Sequence, residues 1–220
     1  MRTRVKICGI TCKQDAQLVV DAGADAMGLV FYSKSPRFID ISKAAEISQI
    51  APAFVSTVAL FKDAEQEYVR SVLEQVDIDL IQFHGSETIA FCEQFGRPYI
   101  KAVGMRSKEY DQNYLYDTLS RYHSARALLL DGHAPGEAGG SGEVFDWAAT
   151  GSAVRQSDMA VILAGGLCSD NVGQAIETVK PYAVDVSSGV ESSPGVKSAE
   201  KVNAFMQQVE KSNRIGSEKS

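Results

Sequence analysis

The sequence predicts an α/β fold in which eight parallel strands close into a single-domain (β/α)8 TIM barrel. Apolar runs of strand length recur along the 220 residues, and stretches with helical periodicity lie between them. This alternation occurs eight times, which indicates a parallel sheet with crossover helices. A closed barrel is favoured because closure leaves no edge strand to protect. The barrel is expected over residues 1–210, and a polar, disordered tail over residues 211–220.

The main alternative is an open Rossmann-like sheet. That fold would carry a G-x-G-x-x-G fingerprint after its first strand, and none follows Val5–Ile7. The glycine-rich strand ends fall instead at the seventh and eighth strands, where barrels commonly bind phosphate. The sequence therefore favours the barrel over the open sheet.

The candidate strands are apolar runs that end in polar or small residues. They are Val5–Ile7, Ala26–Phe31, Phe54–Leu60, Leu80–Phe83, Tyr99–Val103, Ala127–Leu130, Ala160–Ala164 and Ala183–Val186. Helical patterns follow them at Gln14–Ala22, Ser42–Ala51, Ala64–Val76, Glu87–Phe95, Asp111–Tyr122, Val144–Thr150, Asn171–Val179 and Ser198–Glu210. Ser42 and Ser86 are expected to be N-caps, because each precedes a helical run with an acidic residue near its start. Gly23 and Gly96 are expected just beyond helix ends.

Small residues at the ends of the last two strands predict a phosphate site. Gly165 and Gly166 follow the seventh strand, and Ser188 and Gly189 follow the eighth. With little or no side chain in the way, their backbone N–H groups can approach an anion closely. The alternative is that these residues only make tight turns. Two such ends in succession favour the phosphate interpretation.

The composition argues against several functional classes. A net charge of −6 and a pI near 5.1 are unfavourable for a nucleic-acid-binding surface. The sequence shows neither a signal-peptide core nor an apolar stretch of membrane-spanning length, so a cytoplasmic protein is expected. The four cysteines lack C-x-x-C spacing and the three histidines are scattered, so neither a disulfide framework nor a metal site is indicated.

Reactive side chains follow several predicted strands, on the face where barrels place their chemistry. Cys8 could act as a base or nucleophile, or be a small hydrophobe that caps the core. Asp131 follows three leucines, and partial desolvation would raise its pKa towards that of a general acid. Arg37 could hold a planar carboxylate with its guanidinium fork, or lie solvated in its loop. His84 could position a ligand or be a hydrogen-bonded structural histidine.

These residues lie in an ordered series of motifs that resembles the phosphoribosylanthranilate isomerase family over residues 4 to 206. In chain order the motifs are Lys6–Thr11, Ser35–Arg37, Gln82–Gly85, Leu129–Asp131, Gly140–Gly142 with Phe145–Trp147, Leu163–Leu167, and Asp185–Glu191 with Pro194–Lys197. Each motif is weak alone, and the ordered set is highly specific. Two mild departures are QFHG in place of QLHG and GGSG in place of GGTG.

The resemblance implies an enzyme of tryptophan biosynthesis that needs neither a metal nor an organic cofactor. Its reaction is the Amadori rearrangement of N-(5'-phosphoribosyl)anthranilate, an aminoaldose, to 1-(o-carboxyphenylamino)-1-deoxyribulose 5-phosphate, an aminoketose. The resemblance makes Asp131 the general acid and Cys8 the general base, and it places Arg37 on the anthranilate carboxylate. The phosphate-binding residues would be Gly165, Gly166, Ser188 and Gly189.

His84 and Asp185 complete the candidate substrate-binding residues, since both lie near the ends of predicted strands. Two other functions stay open from the residues alone. One is a phosphosugar isomerase or epimerase that acts on a non-aromatic substrate, and the other is a non-catalytic protein that binds a phosphorylated metabolite. The expected partner is a small molecule, and the chain itself is expected to be a monomer or a homodimer.

Overall fold

Eight parallel strands form a closed barrel, because the eighth strand pairs with the first as well as with the seventh. The computed structural model describes residues 2–105, 112–132 and 147–218. The strands are β1 (Arg4–Cys8), β2 (Ala26–Val30), β3 (Ser56–Phe61), β4 (Leu80–Phe83), β5 (Tyr99–Gly104), β6 (Ala127–Asp131), β7 (Ala160–Ala164) and β8 (Ala183–Val186). The predicted barrel is confirmed, and each strand lies within two residues of its expected bounds.

A helix follows each barrel strand. The helices are α1 (Lys13–Asp21), α2 (Ile41–Ser48), α3 (Gln66–Gln75), α4 (Ile89–Glu93), α5 (Gln112–Arg121), α6 (Trp147–Gln156), α7 (Val172–Val179) and α8 (Ala199–Glu218). Their apolar residues recur at helical spacing, as in α7, whose four buried residues are Val172, Ala175, Ile176 and Val179. Gly23 and Gly96 have left-handed φ angles of 84° and 61°, as expected for glycines that follow helix ends.

Two helices begin at a different residue from the one expected. The N-cap of α2 is Asp40, whose carboxylate accepts a hydrogen bond from Lys43 N at 2.8 Å, and Ser42 lies inside the helix. The N-cap of α4 is Thr88 instead of Ser86. Asp40 is a favourable N-cap because its carboxylate accepts a hydrogen bond from a free N–H group and also interacts favourably with the positive end of the helix dipole.

The barrel interior contains an apolar cluster and a smaller polar group. Side chains alternate between inside and outside along each strand, so that every second residue faces inwards. The apolar cluster consists of Val58, Ile100, Ala102, Ala127, Leu129, Ile162, Ala164 and Ala183. Lys6, Gln82 and Asp185 are also buried inside the barrel. Lys6 precedes Cys8 by two residues, and Gln82 precedes His84 by two residues. A buried polar layer therefore lies directly below the mouth of the barrel.

The C-terminal region corrects one prediction. Helix α8 continues to Glu218, so the disordered tail expected from Lys211 is wrong over the described part of that segment. Asn213 explains the difference, because its amide accepts a hydrogen bond from Thr3 N at 2.7 Å and donates one to Thr3 O at 3.3 Å. Although α8 is long, neither it nor any other described helix is apolar enough to cross a membrane.

A short hairpin that the sequence did not reveal follows β8. After a 3-10 turn at Ser188–Val190, the strands β9 (Glu191–Ser193) and β10 (Val196–Lys197) pair in antiparallel fashion. Strands of three and two residues are too short to show the alternation by which strands are recognised in a sequence. The hairpin brings two charged side chains, Glu191 and Lys197, into buried positions near the first strand.

Candidate active site

Cys8 is the last residue of β1, and only 5% of its surface is exposed. Its partner in the β2 register is Gly28, and a Cβ at that position would lie 2.7 Å from the Cys8 sulfur. The glycine therefore leaves the space that the thiol occupies. Burial raises the pKa of Cys8, while the ammonium groups of Lys6 and Lys197 oppose that shift.

Two buried lysines approach Cys8 from different elements. Lys6 Nζ lies 2.9 Å from Asp185 Oδ1, and Lys6 lies two residues before Cys8 on the same face of β1. Burial disfavours the charged form of Lys6, but the charges of Asp185 and Cys8 outweigh it and raise the Lys6 pKa. The side chain of Lys197 is fully buried, and its Nζ donates to Cys8 O at 2.6 Å and to Glu191 Oε1 at 2.9 Å. Burial lowers the pKa of Lys197.

Arg37 lies beside the end of β1 and is held there by Glu191. Its Nε and Nη2 donate to the two carboxylate oxygens of Glu191 at 2.8 and 2.7 Å, which is a bidentate pair. Burial disfavours the ionised form of Glu191, but hydrogen bonds from Arg37 and Lys197 hold the pKa of its carboxyl below the usual range. The described residues give Nη1 of Arg37 no hydrogen-bond partner. That edge of the guanidinium is therefore available to a carboxylate from a ligand.

Gly9 allows Arg37 to take this place. A Cβ on Gly9 would lie 2.4 Å from Cδ of Arg37, and the φ angle of Gly9 is +80°, in the left-handed region. Any larger residue after Cys8 would push the arginine side chain away and strain the backbone. The end of β1 therefore positions the thiol and accommodates the guanidinium next to it.

A second group of polar side chains contains Asp131. His84 Nε2 lies 3.2 Å from Asp131 Oδ2, and Gln82 Nε2 lies 3.0 Å from His84 Nδ1. Because the amide nitrogen of Gln82 can only donate, Nδ1 accepts and the ring proton lies on Nε2, from which it is donated to Asp131. Gln82 is fully buried, so the orientation of the imidazole is set from inside the barrel.

The ends of β7 and β8 meet closely, as a phosphate site would require. Gly165 and Gly166 both have left-handed φ angles, 82° and 66°. A Cβ on Gly189 would lie 1.9 Å from Leu167 O, so the two strand ends are in direct backbone contact. The backbone N–H groups of Gly166, Ser188 and Gly189 donate none of the hydrogen bonds found between backbone groups in the described loops and turns. They are available to an anion.

Most of the predicted site residues come together at one rim. Cys8 and Arg37 lie on one side, and His84 and Asp131 are hydrogen-bonded on the other. Gly165 connects the phosphate region to the second group, because a Cβ on it would lie 2.6 Å from Asp131 Oδ1. The rim therefore presents a thiol, a carboxyl group and a cation around the same opening.

Asp185 takes a different place from the other predicted site residues. It is buried inside the barrel and paired with Lys6, its direct neighbour in the β1–β8 register. A carboxylate in this position balances a buried charge, and the substrate-binding role expected of Asp185 stays a prediction. The glycine-rich loop 136–142 and His133 lie outside the described residues.

Four further polar residues of this region lie within the motifs given above but were assigned no role in the site from the sequence, namely Lys6, Gln82, Glu191 and Lys197. Lys6 and Gln82 did carry a signal, since a charged or amide side chain in the middle of an apolar strand is costly to bury without a purpose. Glu191 and Lys197 carried none, because only the hairpin brings them inwards. Within the described ranges, no three or more His, Cys, Asp or Glu side chains are grouped to hold a metal ion.

The chain is similar to a family of known isomerases. Residues 5–208 match the family model of N-(5'-phosphoribosyl)anthranilate (PRA) isomerase. The chain is 50% identical over 206 residues to N-(5'-phosphoribosyl)anthranilate isomerase of Pseudomonas putida strain F1, covering 94% of this chain and 97% of the relative.

Two solved structures extend the comparison. One is phosphoribosyl anthranilate isomerase in complex with reduced 1-(o-carboxyphenylamino)-1-deoxyribulose 5-phosphate, with a TM-score of 0.82, 37% identity, and coverage of 95% of this chain and 99% of that one. The other shows monomers generated from the dimeric isomerase of Thermotoga maritima, with a TM-score of 0.81, 35% identity and the same coverage.

Proposed function

The chain belongs to the phosphoribosylanthranilate isomerase family, and on this premise we propose that Cys8 and Asp131 supply the base and the acid of its reaction. The enzyme converts N-(5'-phosphoribosyl)anthranilate to 1-(o-carboxyphenylamino)-1-deoxyribulose 5-phosphate, an aldose–ketose isomerisation in tryptophan biosynthesis. The observation that carries the proposal is that Cys8 and Asp131 are the last residues of β1 and β6 and face the same rim, with the Arg37 guanidinium and the glycine-rich ends of β7 and β8 beside them. Such placement is the main contribution that a protein makes to a reaction of this kind.

Asp131 acts first. Its carboxyl group gives a proton to the ring oxygen of the ribose, the bond from that oxygen to C1' breaks, and the lone pair of the anthranilate nitrogen forms the C1'=N bond of a protonated Schiff base. The hydrogen bond from His84 fixes the carboxyl group at the rim, where the ring oxygen would lie. Gln82 in turn fixes the histidine ring.

Cys8 acts second. Its thiolate removes the proton from C2', and the electrons of that C–H bond form the C1'=C2' double bond as the iminium becomes a neutral enamine. The enolamine then loses its C2' hydroxyl proton and gains a proton at C1', which yields the ketone. Proton removal is feasible because the protonated imine withdraws electrons, so the protein's task is to place a base of suitable strength next to C2'.

The two ends of the substrate would be held by different charges. Nη1 of Arg37 faces away from Glu191 and would bind the anthranilate carboxylate. The phosphate would accept hydrogen bonds from the backbone at Gly166, Ser188 and Gly189. The ribose would then lie between Cys8 and Asp131.

The direct test is turnover of freshly prepared phosphoribosylanthranilate, followed by its fluorescence. The purified, folded chain should consume the substrate, whereas a flat trace would defeat the assignment. A phosphosugar isomerase for non-aromatic substrates would act without the anthranilate group, and a metabolite-binding protein would bind the ligand with no turnover.

Arg37→Ala is expected to raise KM for phosphoribosylanthranilate by roughly tenfold or more, with a smaller change in kcat, because the carboxylate is bound in the ground state and the transition state alike. Steady-state kinetics would measure both constants. Lys34→Ala is the matched control, since Lys34 is an exposed cation of the same loop. Equal effects of the two substitutions would remove Arg37 from the proposed site.

We propose that the chain forms a homodimer through the barrel face opposite the site. Phe54, in the loop before β3, is 98% exposed, so its ring is available to contact a second copy of the chain. A related structure is described as that of a dimeric isomerase. Phe54→Ser should shift sedimentation from dimer to monomer while kcat/KM per chain stays near the original value. A monomeric parent chain would contradict the proposal.

A further inference from the structure

Directly beneath Cys8, the barrel interior holds an ion pair. Lys6 Nζ and Asp185 Oδ1 are 2.9 Å apart, and the two side chains are only 4% and 9% exposed. The register of β1 and β8 places the two residues side by side. Elsewhere the barrel interior is filled by an apolar cluster, so the charged pair stands out from its surroundings.

Stability alone does not account for this pair. Taking two charges out of water is costly, and apolar residues of similar size often serve a core equally well. The location of the pair is informative, because Lys6 lies two residues before Cys8 on β1 and therefore on the same, inward face of the strand. Its positive charge favours the ionised form of the thiol. The pair is therefore linked to the group that the proposed reaction requires as a base.

Charges of both signs surround Cys8. The cations Lys6, Lys197 and Arg37 are paired with the carboxylates Asp185 and Glu191. These residues lie on the strand of Cys8 itself, on β8, on the hairpin and in the loop after β2.

Further charged groups lie around this set. The buried carboxylate of Asp15 accepts a hydrogen bond from Lys197 N at 2.9 Å. Asp131 and His84 form a separate hydrogen-bonded pair on the other side of the rim and interact with Asp185. Lys6 and Asp185 are thus the charged pair inside the barrel beneath the thiol.

We propose that Lys6 is a positioning residue that acts as the counter-ion of the Cys8 thiolate, and that Asp185 limits the strength of this effect. Lys6 favours the ionised thiol, and Asp185 disfavours it, because unlike and like charges at short range act in opposite directions. The inference rests on the proposed role of Cys8 as the base. It gives a physical reason why a fraction of this buried thiol is present as the thiolate.

The test uses two substitutions with opposite expected effects. Lys6→Met removes the cation and should raise the pKa of Cys8 by roughly one unit or more, whereas Asp185→Asn removes the anion and should lower it. The pKa is read from the ultraviolet absorbance of the thiolate as a function of pH, taken as the difference from the same variant carrying Cys8→Ser. That difference cancels the other three thiols, among which burial raises the pKa of Cys92 to about 12.

Lys101→Met is the matched control. Lys101 is equally buried and pairs with Glu87 at 2.8 Å, but neither residue is among the charges that act on Cys8. This substitution should leave the pKa of Cys8 unchanged. Because Asp185→Asn preserves shape, it keeps the test informative even where Lys6→Met fails to fold.

Shifts of opposite sign in Lys6→Met and Asp185→Asn would establish the counter-ion role. An unchanged Cys8 pKa in the folded variants, or a shift of the same sign in both, would overturn it, since damage to packing has no reason to depend on the sign of the charge removed. The pH profile of kcat/KM separates this inference from the proposed role of Cys8 as the base. If the thiolate titration moves and the profile does not, Cys8 is not the base, although Lys6 still controls its ionisation.

Discussion

Replacing Cys8 by alanine is expected to lower kcat for phosphoribosylanthranilate by at least about 100-fold, because the proton on C2' then has no base within reach. Affinity for the product should change little, since Arg37 and the backbone of Gly166 and Gly189 still hold the two ends of the ligand. Single-turnover kinetics would give the chemical rate, and calorimetry with the product would give the affinity. Cys168→Ala is the control, because this half-buried thiol lies in the loop after β7.

The pH dependence supplies a second readout of the same substitution. Burial raises the pKa of Cys8 above that of an ordinary thiol, so the thiolate is the minor form at neutral pH and increases as pH rises. Cys8 should therefore contribute a rise with pH to the acid side of the kcat/KM profile, and the residual activity of Cys8→Ala should lack that rise. A variant that keeps both the rate and the pH profile would exclude Cys8 from the mechanism.

Replacing Asp131 by alanine is likewise expected to reduce kcat by about 100-fold or more, because ring opening then proceeds without a proton donor. Asp131→Asn is the sharper version, since an amide keeps the shape and can still accept the hydrogen bond from His84 Nε2, but has no acidic proton to give. Both variants should bind the product with nearly unchanged affinity, as measured by calorimetry.

The control for Asp131 is Asp117→Asn, an exposed carboxylate on α5. It should show the kinetics of the parent enzyme. Near-normal turnover of Asp131→Asn would contradict the role of Asp131 as acid and would shift attention to His84, which lies within hydrogen-bond distance of Asp131.

The barrel could be predicted because each of its strands can be recognised from a few consecutive residues. Each strand is a short apolar run such as Leu128–Leu130, and strand ends are marked by residues such as Gly165 and Asp131 that are unusual beside such runs. The strands were accordingly placed within two residues of their bounds. The rim residues followed from the general rule that barrels place chemistry at carboxyl ends of strands.

The features that were missed depend on contacts between distant parts of the chain. Helix α8 was expected to end near Glu210, but Asn213 binds Thr3, which is 210 residues away in sequence. Lys197 reads as an ordinary surface lysine in the sequence, and only the hairpin turns it towards the carbonyl of Cys8. No local pattern can contain such information, because the partner that decides the outcome lies at the other end of the chain.

The separation of these partners also bears on how the enzyme comes into being during synthesis. The bonds of Lys6 to Asp185 and of Lys197 to Cys8 join residues 179 and 189 positions apart. On a ribosome, Cys8 and Lys6 emerge long before Asp185, Glu191 and Lys197. Contacts this distant in sequence form late in folding. The charged environment of the thiol is therefore complete only when β8 and the hairpin have folded against β1.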